Sequence, residues 1–400
     1  MAGARVAEGG VPDKGGLYQT PWALSERCFL VSYSYARTPS NGGGGRNANG
    51  FALYLIDAYG NKELVCRDLL LSCSFPMPLR KRPRPPELTP TAESDESYAT
   101  CYVTDVYDGA PGLATGSVKH LRILQRVGWP LDAKVGAMRW IPGNAWERHF
   151  GFWAWAPVRV IGTVGVERDG SAHFTLPADT AVYFEALDDK YMELRRMRSH
   201  VTFQPGEARG CRGCHESQAR APAPSHAPLA LLRPAETPTP PPWGDRRLLG
   251  YEWLVQPVLD RHCVRCHGRE EPKGGIDLTA ARAADGFFQS YHTLFGDFTA
   301  KGKKGRPLVA CSNRFGGAAI SQPMEFGSHR SPFITVLLKD PLHAKEVRLS
   351  QEEWLALVTW VDANAPYYDT FYNRRPPEGG PPRRDVALDL TGSRCSPSNP

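Results

Sequence analysis

The chain has 400 residues, 41% of them hydrophobic, with 48 Lys and Arg against 42 Asp and Glu for a formal net charge of +6. That length predicts two or three domains, and no run approaches the roughly eighteen apolar residues that a membrane helix requires. The mild charge is spread along the chain without a nucleic-acid motif, so neither a membrane span nor a nucleic-acid partner is expected.

Gly 39 and Pro 36 predict long loops and β-rich architecture. The opening "MAGARVAEGGVPDKGG" lacks the apolar stretch of a signal peptide. Next, "PWALSERCFLVSYSY" and "GFALYLIDAYGNKELVCRD" read as strands flanking the glycine-rich "NGGGGRNANG". Residues 17–73 therefore resemble the last blade of a β-propeller. One blade cannot bury its faces alone, so either it packs on a later domain or the chain is the N-terminally truncated part of a longer protein. The basic "LRKRPRPP" that follows reads as solvated linker, with an anionic docking surface as the alternative.

Period-two alternation then appears in "SVKHLRILQRV", "VRVIGTVGVERDGSAHFTL" and "DTAVYFEALDD". "RDG" at 168–170 reads as a hairpin turn between two of these runs. Residues 99–215 are expected to form a β-sandwich-like domain. It ends in "RRMRSHVTFQPGEARGCRGCHES", a loop carrying Cys211, Cys214 and His215. Residues 216–247 are a Pro/Ala-rich connector without a core of its own. Residues 248–373 turn helical. "YEWLVQPVLDRH" offers the stripe Trp253, Leu254, Val258 and Leu259, tolerating Pro257 imperfectly. "LSQEEWLALVTWVDANAP" has a capping box at Ser350 and Glu353, with Trp354, Leu357, Val358 and Val361 on one face. Asn364 to Pro366 ends that helix, and residues 374–400 read as a disordered tail.

Two Cys-x-x-Cys-His motifs carry the chemistry: Cys211, Cys214 and His215, and Cys263, Cys266 and His267. Two thiols three residues apart add to the two vinyl groups of one haem, and the adjacent histidine then lies beneath the porphyrin as an iron ligand. The competing reading is an all-thiolate zinc site. Zinc ribbons, however, separate their pairs by about 15–20 residues, whereas 48 residues lie between Cys214 and Cys263. Zinc also gives no reason for a histidine after each pair. The prediction is two covalently bound c-type haems, the second inside a class I cytochrome c-like helical domain. The fold class is multidomain, mainly β then α.

The second haem needs a sixth ligand, and His292, Met324, His329 and His343 are downstream candidates. His343 is favoured, because it precedes the closing helix where the chain must return across the haem. Met324 is the next choice and would raise the potential. His262, next to Cys263, cannot easily reach the same iron and reads as a surface residue. For the first haem, Met192, Met197, His149, His173 and His200 are distal options. Arg195, Arg196 and Arg198 form either a solvated run or partners for propionates.

Together, "CYVTDVYDGAPGLATGSVKHLRI", "GSAHFTLPADTAVYFEALD", "PGEARGCRGCHE", "VQPVLDRHCVRCHG" and "WVDANAPYY" resemble the middle and C-terminal regions of the hydrazine synthase α subunit and its relatives, over roughly residues 17–372. The resemblance implies a catalytic haem on the β domain and a bis-histidine electron carrier in the helical domain, the latter on Cys263, Cys266, His267 and His343. In the synthase a tyrosine four residues past the first motif histidine binds the catalytic iron. Here that position is Ala219, so His215 is expected to bind iron in the ordinary way. The synthase's nearby zinc site uses a cysteine together with the motif histidine, and Cys73 is the candidate cysteine.

Two functions follow as expectations. The first is an exported, extracytoplasmic dihaem cytochrome that transfers electrons to redox partner proteins or sister subunits of a larger assembly. The second is a haem redox enzyme acting on small nitrogenous compounds at the first haem. A scaffold role, with structural haems, is a third class.

Overall fold

The structure, a computed structural model, describes residues 17–34, 51–68, 71–81, 84, 95–127, 157–214, 227–284, 286–296, 306–312 and 321–369. They fall into two compact units, 1–89 and 90–400. The expected tail, 374–400, lies outside the described residues, as do His149, His215 and Ala219.

The first unit is an antiparallel meander of four strands in sequential order: β1 (Leu17–Ala23), β2 (Cys28–Ser34), β3 (Ala52–Asp57) and β4 (Lys62–Cys66). The β3–β4 turn is held by the Asp57 carboxylate, whose Oδ1 accepts the backbone N–H groups of Tyr59 and Asn61 at 2.9 Å each. A short polar side chain that replaces a backbone acceptor in this way favours a tight turn. The apolar centre is small, built on Val31, Tyr33, Ala52 and Tyr54. Every residue of β4 is exposed, so this sheet presents an uncovered edge.

The second unit holds two sheets. One runs β10 (Glu193–Arg196), β9 (Val182–Leu187), β6 (His120–Arg126), β7 (Val158–Gly165). The other runs β11 (Ala208–Cys211), β5 (Tyr98–Val103), β8 (Ala172–Pro177). Residues of both share one apolar cluster that includes Val103, Ile123, Val164, Phe174, Val182 and Leu194. The strand periodicity is as expected from the sequence, but the turn at 168–170 joins β7 and β8 in different sheets. It is a corner, not a hairpin. Alternation announces two strands and a turn between them, but not which neighbour each strand pairs with.

Residues 227–247 do not hang free between domains. Thr163 and Thr239 exchange backbone hydrogen bonds at 2.9 Å, and Glu236 bonds into β8 through His173 O and Thr175 N. Gly162 permits this approach, since a Cβ there would lie 2.6 Å from Pro238 Cβ. The connector is thus a strap across both sheets.

The helical part begins with a π-helical turn, Tyr251–Val255, running into α1 (Gln256–His262). Pro257 sits in the first turn of α1, where its missing N–H costs nothing. Then follow α2 (Gln289–Leu294), α3 (Pro332–Lys339), α4 (Pro341–Glu346) and α5 (Gln351–Asp362). The capping box of α5 is present in both directions: Glu353 N to Ser350 Oγ at 3.1 Å and Ser350 N to Glu353 Oε2 at 2.8 Å. Leu357, Val358, Trp360 and Val361 are fully buried, while Trp354 donates its indole N–H to Lys190 O at 2.8 Å. An aromatic nest around Tyr251, with Tyr291, Trp360 and Tyr367 at 5.0–5.5 Å between ring centres, joins the entry turn to α5. The same core takes in Leu124, Val160 and Tyr183 of the sheet. The sheets and helices therefore share packing rather than forming separate globules.

Candidate functional site

The second motif is a continuation of α1. Cys263 caps the helix, its N–H donating to Leu259 O, and both Cys266 and His267 donate their N–H to Cys263 O at 3.0 and 2.9 Å. In this helical turn the i, i+3 spacing brings the two thiols to one side. Burial pushes the Cys263 thiol up to about 11. His343 lies on α4, whose N-cap is Asp340.

The two imidazoles of this region come together. The rings of His267 and His343 are 6.2 Å apart at their centres, with planes 14° from parallel. His267 Nδ1 lies 3.1 Å from Lys273 O, and His343 Nδ1 lies 2.7 Å from Asp340 Oδ2. A carbonyl and a carboxylate only accept, so Nδ1 is the donor in both contacts, and in the neutral ring that leaves the lone pair on Nε2. This is the arrangement of metal-ligating histidines, whose other nitrogen donates to a carbonyl or carboxylate. A metal–imidazole bond of about 2.0–2.1 Å, plus about 1.1 Å from nitrogen to ring centre, puts two facing rings about 6.2–6.4 Å apart. A haem iron bound by both Nε2 atoms would set the rings at the observed distance. Among the described residues no three His, Cys, Asp or Glu converge to hold a bare metal ion; a porphyrin asks only for two axial groups.

The other candidates are engaged elsewhere. His329 Nε2 meets Asp188 Oδ2 at 2.9 Å. Met324 is exposed, its backbone N–H bonded to Leu194 O. His292 is buried beside Phe287. His262 is not a free surface residue: its Nε2 lies 3.0 Å from Glu353 Oε1, tying α1 to the start of α5. Burial would raise the Glu353 carboxyl, but the Ser350 N–H, His262 and Arg261 outweigh it and draw it down to about 2.

The first motif starts in a strand, not in a loop. Cys211 ends β11, which pairs in parallel with β5. The chain then turns against residues 104–108: Thr104 N and Oγ1 donate to Cys211 O and Arg212 O at 3.0 and 2.8 Å. A Cβ on Gly213 would lie 2.2 Å from Asp108 O, so only glycine allows this close approach between the cysteines. Burial pushes the Cys214 thiol up to about 11. Cys211 has a neighbour that the motif does not announce: buried Cys101 on β5, two register positions back on the same face, within hydrogen-bonding reach.

Cys211 and Cys214 open onto a cavity of about 390 Å³. Val103, Val106, Leu121, Phe184, Ala186 and Val201 give it apolar walls, and Arg195, Arg196, Met197 and Arg198 line one side. The size and the mix of apolar wall with a few charged groups are those of a cofactor site. Of the arginine run, Arg195 and Arg196 are buried and Arg195 Nη1 donates to Gly109 O at 3.2 Å, whereas Arg198 is exposed. Of the distal options, Met197 lines the cavity, whereas Met192 is in the core. The ring of His200 packs edge-on against Tyr183, and His173 Nδ1 lies 3.1 Å from Arg233 O.

Behind Arg196 lies a buried charge cluster that the sequence reading missed. Arg196 clasps Glu193 with Nε and Nη2, the former at 2.6 Å to Oε1. Arg122 donates from Nη1 to Glu185 Oε2 at 2.8 Å and Asp362 Oδ2 at 3.3 Å, and from Nη2 to Tyr191 O at 2.8 Å. Asp362, at the end of α5, also accepts from Ser328 N at 2.7 Å and Glu193 N at 3.2 Å. Burial pushes Glu193 up to about 8, against the pull of Arg196 and helped by Glu185 and Asp362. The charged residues of β9 and β10 stand in the sequence, but their burial does not.

Comparison with known proteins places these features. Residues 116–216, which end at the first motif, match the hydrazine synthase alpha subunit middle domain. The chain is 23% identical to hydrazine synthase subunit alpha of Kuenenia stuttgartiensis over 64% of its own length, and spans 39% of that relative. The solved Kuenenia stuttgartiensis hydrazine synthase superposes with a TM-score of 0.55 at 19% identity, over 89% of this chain and 56% of that one. Among the described residues no helix is long and apolar enough to cross a membrane. Residues 116–216 thus match the hydrazine synthase alpha middle domain, and the chain is similar in sequence and in fold to hydrazine synthase subunit alpha.

Proposed function

We propose that this chain is a dihaem c-type cytochrome that transfers electrons within a larger redox assembly. The observation that carries the reading is the His267–His343 pair, with parallel rings 6.2 Å apart beside a Cys-x-x-Cys-His turn. A haem held there would supply a one-electron iron(III)/iron(II) couple. Cys263 and Cys266 would anchor it, and His267 and His343 would hold its iron. Lys273 O and the Asp340 carboxylate fix the imidazole orientation and make the rings better donors. At the first motif Cys211, Cys214 and His215 would take the same roles, in a cavity that Arg195 and Arg198 line and whose apolar walls exclude water. In this reading the front sheet is a propeller blade, the paired sheets a sandwich, and the helices a class I cytochrome c domain. Covalent haem attachment implies an extracytoplasmic location. The relative's printed name, a synthase subunit, supports sister subunits as partners.

The test is expression with a c-type haem maturation system. Two covalently bound haems, counted by mass and by pyridine haemochrome, are expected. C211A/C214A and C263A/C266A should each remove one. A haem-free holopreparation, or one haem unaffected by either double variant, overturns the reading.

The second reading is a haem enzyme acting on small nitrogenous compounds at the first motif. The cavity beside Cys211 and Cys214, inside the region matching the synthase middle domain, favours it. A first haem that stays low-spin and binds neither nitric oxide nor cyanide eliminates it.

A further inference from the structure

The buried cluster contains three carboxyl groups, Glu185, Glu193 and Asp362, and two guanidiniums, Arg122 and Arg196. All five side chains are almost wholly shielded from water. Fully ionised, the cluster would carry one surplus negative charge with no solvent to spread it, an unfavourable state in a low-dielectric interior. Glu185 Oε1 has no hydrogen-bond partner among the described residues. That is an acceptor position waiting for a hydrogen rather than a finished ion pair.

The cluster also touches the cofactor cavity. Arg196 lines that cavity with one part of its side chain while its guanidinium clasps Glu193 and stacks on Phe326, 4.4 Å from the ring centre. The groups facing Glu193 are Arg196 on its own strand, Glu185 and Tyr183 on β9, Arg122 on β6, Asp362 on α5 and Cys311. The guanidiniums stay charged at any working pH. Burial holds the Tyr183 hydroxyl and the Cys311 thiol in their neutral forms. The Asp362 carboxylate is satisfied on both oxygens. The carboxyl groups with room to change are Glu193 and Glu185.

We propose that the Glu193–Glu185 pair is a redox-linked proton site: it takes up one proton when the iron in the adjoining cavity gains one electron, and releases it on oxidation. The inference rests on the haem reading above. The balance is one electron from a one-electron donor protein reducing iron(III) to iron(II), and one proton from solvent converting a carboxylate to a carboxylic acid. The charge added in the cavity that Arg196 lines is compensated in the cluster that Arg196 clasps. Arg196 is a positioning residue here, holding Glu193 against the cavity wall.

The test is a spectroscopic redox titration of the holoprotein from pH 6 to pH 9, with dithionite as reductant. The midpoint of the first haem should fall with rising pH, by up to 59 mV per tenfold change in proton activity for one proton per electron. Reduced-minus-oxidised infrared spectra of the wild type should gain a protonated-carboxyl band. E193Q, which keeps the shape and a hydrogen-bond acceptor for Arg196, should flatten the slope. E185Q should do so in part, and it leaves Arg122 bonded to Asp362 and Tyr191. A slope that persists in both variants would assign the proton to a propionate and overturn the proposal. So would a wild type with neither slope nor carboxyl band. A protein without haem would instead refute the cytochrome reading itself, as its haem count would show before any titration.

Discussion

His267 and His343 face each other across 6.2 Å with ring planes 14° apart, each with Nδ1 bonded to an oxygen that only accepts. In the proposed reading these two imidazoles, from α1's following turn and from α4, are the ligands of the second haem. The holoprotein should therefore show a low-spin second haem. H343A should convert that haem to a high-spin or solvent-ligated species, and H343M should raise its midpoint potential. An unchanged visible spectrum and potential in H343A would remove His343 from the iron.

In the same reading Asp340 would act on the iron through its 2.7 Å contact with His343 Nδ1. D340N keeps an acceptor for Nδ1–H and loses the charge, so the imidazole becomes a weaker donor and iron(III) is less favoured. The midpoint should rise by an amount on the order of tens of millivolts, with little change in the spectrum. Potentiometry of D340N beside wild type checks the sign.

Glu353 makes the start of α5 acid-sensitive. Its folded value, about 2, lies below the ordinary 4.5. A carboxyl depressed on folding contributes stability that is complete above its unfolded value and is lost as pH falls towards the folded one. Wild type should therefore lose melting temperature between about pH 4.5 and pH 2, more steeply than E353Q. Parallel thermal melts across that range measure it. At neutral pH, S350A should cost about 1 kcal/mol through the lost cap.

Gly162 is where the strap passes β7. G162A would place a Cβ 2.6 Å from Pro238 and 2.9 Å from Thr239 O. Backbone and a proline ring cannot swing aside, so the strap must lift. A loss of about 1–3 kcal/mol is expected, together with faster hydrogen exchange at the amides of Thr163 and Thr239. Chemical denaturation and exchange mass spectrometry report the two effects.

Arg122 holds two buried carboxylates from β9 and α5. R122M should destabilise the fold by about 3–5 kcal/mol, because it strands those charges rather than because the ion pair is itself so favourable. R122M/E185L should recover much of the loss, and a urea-denaturation cycle would measure the coupling.

What was legible in the sequence was what local spacing encodes. The two Cys-x-x-Cys-His motifs, the Ser350–Glu353 capping box and the period-two runs each need only neighbours a few residues apart. The "DPLH" stretch even carries its own signal, an Asp N-cap and a Pro in the first turn ahead of the histidine. Pairing across the fold was not legible. The turn at 168–170 was a hairpin by its residues and became a corner between sheets. His262 was a surface residue by proximity to Cys263 and became a partner of Glu353, 91 residues later. The strap at 227–247 had the composition of a linker, yet a glycine on β7 lets it dock.

The sequence by itself determined which thiols and imidazoles are present and at what spacing, because chain geometry over three or four residues is nearly independent of context. Only the tertiary structure decided which of them meet. It brought His343 to His267, set Cys101 behind Cys211, and turned Arg196 and Glu193 inward from a run that reads as solvated. Burial is a property of packed layers, and it is burial that makes a charge cluster a candidate for proton uptake rather than a solvated face.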